Sequence, residues 1–132
     1  MTHRESLLRD VKDCRHCAEH LPLGPNPIVI LPPNARIAIV SQAPGRIAHE
    51  SGTAFQDASG ERLRYWLGVD QEIFYREGSI AVLPIGFCYP GRGKGGDLPP
   101  RPECAPLWHE RLWPLLPQVR LKLLVGAHAQ KH

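Results

Sequence analysis

Four cysteines are the residues of this 132-residue chain whose type and spacing most directly imply chemistry. Cys14 and Cys17 form a C-x2-C pair, and Cys88 and Cys104 a wider C-x15-C pair about seventy residues later. A tight turn brings the first two sulfurs to one ion or cluster. The second pair spans a loop and returns at a predicted helix start, where the helix dipole favours a thiolate. Four thiolates drawn from two distant segments can close a single metal site and tie the N-terminal segment to the far side of the domain. Spacing alone leaves two readings open: a structural zinc, with His16 or His20 able to replace a sulfur, or an iron–sulfur cluster. Disulfides are the lesser reading in a reducing compartment.

The length suits one domain spanning residues 1–132. Hydrophobic content of 42% and charged content of 22% are those of a soluble globular chain. No apolar run is long enough to span a bilayer, and the charged start, MTHRESLLRDVKDC, lacks the apolar core of a signal peptide. The expectation is a cytoplasmic protein with no membrane partner. The net charge of +3 is compatible with a polyanionic partner. The 14 prolines and 12 glycines cluster at residues 21–33 and 84–106, so loops fill much of the chain.

The elements that must position these groups follow from patterning. Thr2 and Glu5 have capping-box spacing ahead of a short helix with Leu7, Leu8 and Val11 on one face. Residues 36–40 (RIAIV) read as a buried strand ended by SQAPG, with a loop from there to Gly60. Leu63, Trp66 and Leu67 mark the apolar stripe of a helix closed by Gly68, with Arg62 and Arg64 on its solvated face. Asp70 caps a further short helix through Tyr75. Residues 80–83 and 121–125 are two more strands. Residues 84–102 form a long loop, and a helix from Glu103 to Leu116 is kinked or ended by Pro114. Strands alternating with helices predict an α/β fold, a parallel sheet with helices on both faces.

In this order along the chain, the pieces resemble the uracil-DNA glycosylase superfamily, and specifically its iron–sulfur branch, often called family 4. Cys14 and Cys17 precede the first strand. RIAIV-SQAPG resembles the strand and GEAPG-type catalytic loop. GTAFQDASGERL (residues 52–63) resembles the segment that carries a uracil-stacking aromatic and a helix start. Cys88 and Cys104 flank a Pro/Gly-rich loop like the family's second cysteine pair, and LKLLVGAHAQ resembles the third strand and its turn. The resemblance implies a three-layer αβα domain with a short parallel sheet. It implies a [4Fe-4S] cluster on Cys14, Cys17, Cys88 and Cys104, zinc being the alternative. It also implies hydrolysis of the N-glycosidic bond of uracil, or a related deaminated base, in DNA.

A stacked base is out of reach, so such an enzyme acts on single strands or flips the base into a pocket. By resemblance Phe55 is the stacking face, Gln42 orients a water or bonds the base, and Ala43, Pro44 and Gly45 shape the loop around it. Gln42 stands where many members have Glu, and an amide cannot act as a base. His49, where the family often carries an acid, can exchange protons near neutrality and is the second catalytic candidate. Arg92 and Lys94 in the glycine-rich loop are candidates for phosphate contact.

Two departures qualify the resemblance. The family's uracil-reading Asn falls at Pro84, which offers no side-chain hydrogen bond. Its second motif, His-Pro-Ser after a fourth strand, has no counterpart in the sequence. Loss of one donor to the departing base costs roughly a hundredfold to a thousandfold in rate. The expectation is therefore a glycosylase-like chain shortened at its C-terminus, its last strand missing and its open third-strand edge available for dimerisation. It would be weakly active or inactive, with a non-catalytic DNA-binding module and a zinc-stabilised structural protein as alternatives.

Overall fold

A computed structural model describes residues 2–131. The first helix, α1 (His3–Lys12), is capped as its sequence predicts, the Thr2 hydroxyl accepting from the Glu5 backbone N–H at 3.1 Å. After the first cysteine pair and a 3-10 turn at Ala18–His20, the proline-rich connector leads to β1 (Ile37–Val40). Three helices follow: α2 (Arg46–Ser51), α3 (Ala58–Leu67) and α4 (Gln71–Arg76). The Asp57 and Asp70 carboxylates cap α3 and α4, and Gly68 closes α3 in the left-handed conformation, at φ 70°. Beyond β2 (Ile80–Val82), a small hairpin pairs β3 (Arg92–Gly93) with β4 (Gly96–Asp97). The chain closes with α5 (Cys104–Leu112), a 3-10 turn at Trp113–Leu115 containing Pro114, β5 (Leu121–Leu124) and α6 (Ala127–Lys131).

The three long strands form one parallel sheet in the order β2–β1–β5, with Ile37 level with Ile80 on one side and Leu121 on the other. Strand alternation divides the core in two. Ala38 and Ala81 belong to a cluster with Leu7 and Val11 of α1 and Trp108 and Leu112 of α5. Ile39, Ile80 and Val82 pack with Ala48 of α2, Leu63 of α3 and Phe74 of α4. Helices thus cover both faces, giving the three-layer α/β arrangement expected from the alternating elements. The outer edge of β2 is covered by an antiparallel bridge from Ile30 to Val82, with N–H···O distances of 2.9 and 2.7 Å. β5 pairs with β1, and its Leu121 and Leu124 are exposed.

Three sequence-based expectations change. The stretch between β1 and Gly60 holds α2, a six-residue helix too short to show periodicity. The long loop contains the hairpin, whose two-residue strands are half glycine. The buried stripe of α3 runs through Gly60, Leu63 and Arg64, leaving Trp66 73% exposed and burying Arg64 at 5% exposure. Arg64 is therefore not on the solvated face, and Trp66 is not in the core.

Candidate functional site

The C-terminal ends of β1 and β2 open onto a pocket, as is usual for ligand sites in open parallel sheets. Its walls include Gln42, Ala43, Pro44 and Gly45 from the loop after β1, then Phe55, Asp57, Pro84, Asp97 and Gly126. Of the residues singled out from sequence, Gln42, Ala43, Pro44, Gly45 and Phe55 come together here. His49 is not among the lining residues. Its ring packs 6.1 Å from that of Tyr89, and its Nδ1 is buried without a hydrogen-bond partner among the described residues.

Gln42 is turned toward the end of β5. Its Oε1 accepts from the His128 backbone N–H at 3.1 Å. A Cβ on Gly126, which has φ 96°, would fall 2.6 Å from Gln42 Cδ, so only glycine allows this approach. Phe55 is the single non-glycine residue with positive φ, 62°, among the described residues. Its ring meets Phe74 edge-on at 6.1 Å. Side chains rarely adopt that backbone unless neighbours enforce it.

Two carboxylates were not singled out by the sequence reading. Asp57 Oδ1 accepts the Gly60 N–H at 2.9 Å as the cap of α3, and its Oδ2 turns toward Gly45. Asp97 Oδ2 approaches Gly45 as well: a Cβ there would lie 3.7 Å from Asp97 and 3.8 Å from Asp57. The signal available for Asp57 was its position three residues before Gly60 at a helix start. Asp97 is brought in by the hairpin, which sequence did not reveal.

The four cysteines line one cavity on the α1–α5 side, together with His16, Phe87, Arg101 and Trp108. His20 is not among its lining residues and lies 3.6 Å from Glu19. Cys14 Sγ accepts from the Trp108 indole N–H at 3.4 Å, and Cys104 Sγ from the Phe87 backbone N–H at 3.3 Å. The Cys17 thiol donates to Glu103 at 3.1 Å, and Glu103 is held by Arg101 at 2.8 Å. Burial pushes the Cys104 thiol up to about 12, opposed by the Phe87 N–H and reinforced by the other three sulfurs. Cys17 rises to about 11 through burial and then the Glu103 contact, and burial also raises Cys88. Among the described residues, no three His, Cys, Asp or Glu side chains are grouped as ligands of one metal ion.

With this geometry in place, the sequence profile of the Uracil DNA glycosylase superfamily matches residues 28–132. The chain belongs to the uracil-DNA glycosylase superfamily. The match spans the whole lining of the pocket at the β1 loop, Cys88 and Cys104; Cys14 and Cys17 lie upstream of it. Membership makes DNA the partner class and base-excision chemistry the superfamily's activity. Pro84 lines the pocket, and its carbonyl accepts from the buried His109 ring at 2.7 Å. No described helix is long and apolar enough to cross a membrane.

Proposed function

We propose that this chain hydrolyses the N-glycosidic bond of uracil, or a related deaminated base, in single-stranded or locally opened DNA. The observation that carries the reading is the pocket at the β1 loop, where Phe55 supplies an aromatic wall and Asp57 turns a carboxylate oxygen toward Gly45. A flipped base stacks on Phe55. Water attacks the sugar anomeric carbon as the bond to the base breaks; the base leaves with the bonding pair as its N1 anion and is protonated from solvent, and the water proton passes to Asp57, the capped carboxylate. Gln42 holds the loop through His128 rather than acting as a base. With Pro84 at the base-reading position, the base edge is read by backbone groups of the loop. The hairpin carries Arg92 and Lys94, both exposed, beside Asp97 on the pocket wall, and these cations contact the DNA phosphates.

We also read Cys14, Cys17, Cys88 and Cys104 as ligands of a [4Fe-4S] cluster. The donor set fits: four sulfurs share one cavity, and two accept N–H bonds. Tetrahedral zinc on the same four sulfurs is the alternative. A cluster spreads its thiolates over several irons. Such a cluster would supply a cross-link between distant segments, leaving the excision chemistry to the other pocket.

The test is single-turnover excision from a uracil-containing single-stranded oligonucleotide by anaerobically purified protein, with metal analysis of the same sample. Abasic product and about four irons per chain are expected. Tight uracil-strand binding without product would favour the non-catalytic module, as Gln42 and Pro84 would allow. One zinc per chain would replace the cluster reading.

A further inference from the structure

Arg64 is a buried guanidinium that takes part in none of the ion pairs among the described residues. A charge in that position needs strong compensation. Its partners all converge on the stacking wall. Arg64 Nη1 donates to the Phe55 carbonyl at 2.8 Å and to the Tyr75 hydroxyl at 3.1 Å, and that hydroxyl donates to the Ala54 carbonyl at 2.6 Å. The guanidinium also lies 5.7 Å from the Phe74 ring centre and 5.6 Å from that of Tyr75. Burial raises the Tyr75 pKa above its ordinary value, against the pull of Arg64.

The two carbonyls held in this way are consecutive, and they bracket the left-handed turn at Phe55. Carbonyl direction is fixed by the backbone dihedrals beside it, so clamping both carbonyls specifies the φ and ψ of Phe55. Gly60 completes the fit from the other side, because a Cβ there would collide with the Phe55 carbonyl. We infer that Arg64 and Tyr75 are positioning residues that lock Phe55 in its left-handed backbone and thereby set the stacking wall against the base. The functional half of this inference rests on reading the pocket as the base site; the mechanical half does not.

The test uses Tyr75→Phe, which removes one hydroxyl, alone and combined with Phe55→Leu. The chain has three phenylalanines, so 4-fluorophenylalanine labelling gives three fluorine resonances in the wild type; Phe55→Leu identifies the Phe55 line by its loss, and Tyr75→Phe adds a fourth line from position 75. Tyr75→Phe is expected to broaden or split the Phe55 line while leaving Phe87, in the opposite core cluster, unmoved. Its affinity for a single-stranded uracil oligonucleotide falls on the order of tenfold, mostly as a raised KM. In the Phe55→Leu background, Tyr75→Phe costs nothing further, since the latch acts through Phe55. An unchanged Phe55 line, or fully additive losses in the double variant, overturns the inference. Wild-type protein that ignores uracil would refute the base-site reading, and the fluorine line would then decide the latch alone. Should Tyr75→Phe not fold, Arg64→Lys, which keeps the charge but loses the fork, is judged by the same two readouts.

Discussion

In the proposed mechanism, Gln42 and Asp57 divide between them what one carboxylate would do. Gln42 spends its acceptor on His128, while Asp57 keeps one oxygen on the α3 cap and turns the other toward Gly45. Asn caps a helix about as well as Asp, so Asp57→Asn should alter stability by less than about 0.5 kcal/mol in urea unfolding. Excision should fall on the order of a hundredfold or more, and an unchanged rate would remove Asp57 from the mechanism. Gln42→Glu keeps the acceptor for His128 and adds a base. It should raise the single-turnover rate and add a pH limb. A carboxylate is a base only when ionised, so the gain appears as pH rises through about 4 to 5 and is lost below. A profile identical to wild type would mean that position 42 does not reach the water. The loop residues and Phe55 were legible because they follow a recognisable strand in a recognisable motif. Arg64 was not, because a sequence shows a charge but not the two carbonyls and two rings that make its burial tolerable.

At the scale of elements, the β3–β4 hairpin delivers two kinds of residue to the site. Asp97 reaches the pocket wall, while Arg92 and Lys94 remain exposed. If these cations contact phosphates, Arg92→Ala and Lys94→Ala should each weaken binding to uracil and thymine strands alike. Each should also reduce the salt slope of log K by about 1. Selective loss for uracil strands would instead place them on base recognition. Strands β1, β2 and β5, and the capped helices α1, α3 and α4, could be read in advance, since each has a short apolar run or a side-chain cap. The hairpin and α2 could not. Two-residue strands rich in glycine carry no alternation, and α2 follows Gly45, which offers no side-chain cap. The pattern around α3 points Trp66 inward because its size outweighs Arg64 in hydropathy, whereas in the structure Arg64 is buried and donates to the Phe55 carbonyl.

Across the whole molecule, α5 joins the two sites. Cys104 opens it, Trp108 bonds Cys14 across from α1, and His109 donates to the Pro84 carbonyl on the wall of the β1-loop pocket while stacking on Phe87 at 6.0 Å. Phe87 in turn gives its N–H to Cys104. A metal centre on the four cysteines would therefore brace the pocket wall as well as the N-terminus. Cross-linking segments so far apart in sequence is worth about 4 kcal/mol by loop-entropy reasoning, or roughly 10 to 20 °C in melting temperature for a domain of this size. Stripping the metal with chelator should lower the melting temperature by that order. Amide exchange should rise in α1 and at residues 84–88, where the brace acts, while α3 and α4, packed on the opposite face of the sheet, stay protected. Faster exchange in α1 alone would mean that the centre anchors the N-terminus without supporting the pocket. A uniform rise across all helices would mean that the centre holds the fold as one unit, and that α5 transmits nothing in particular to Pro84.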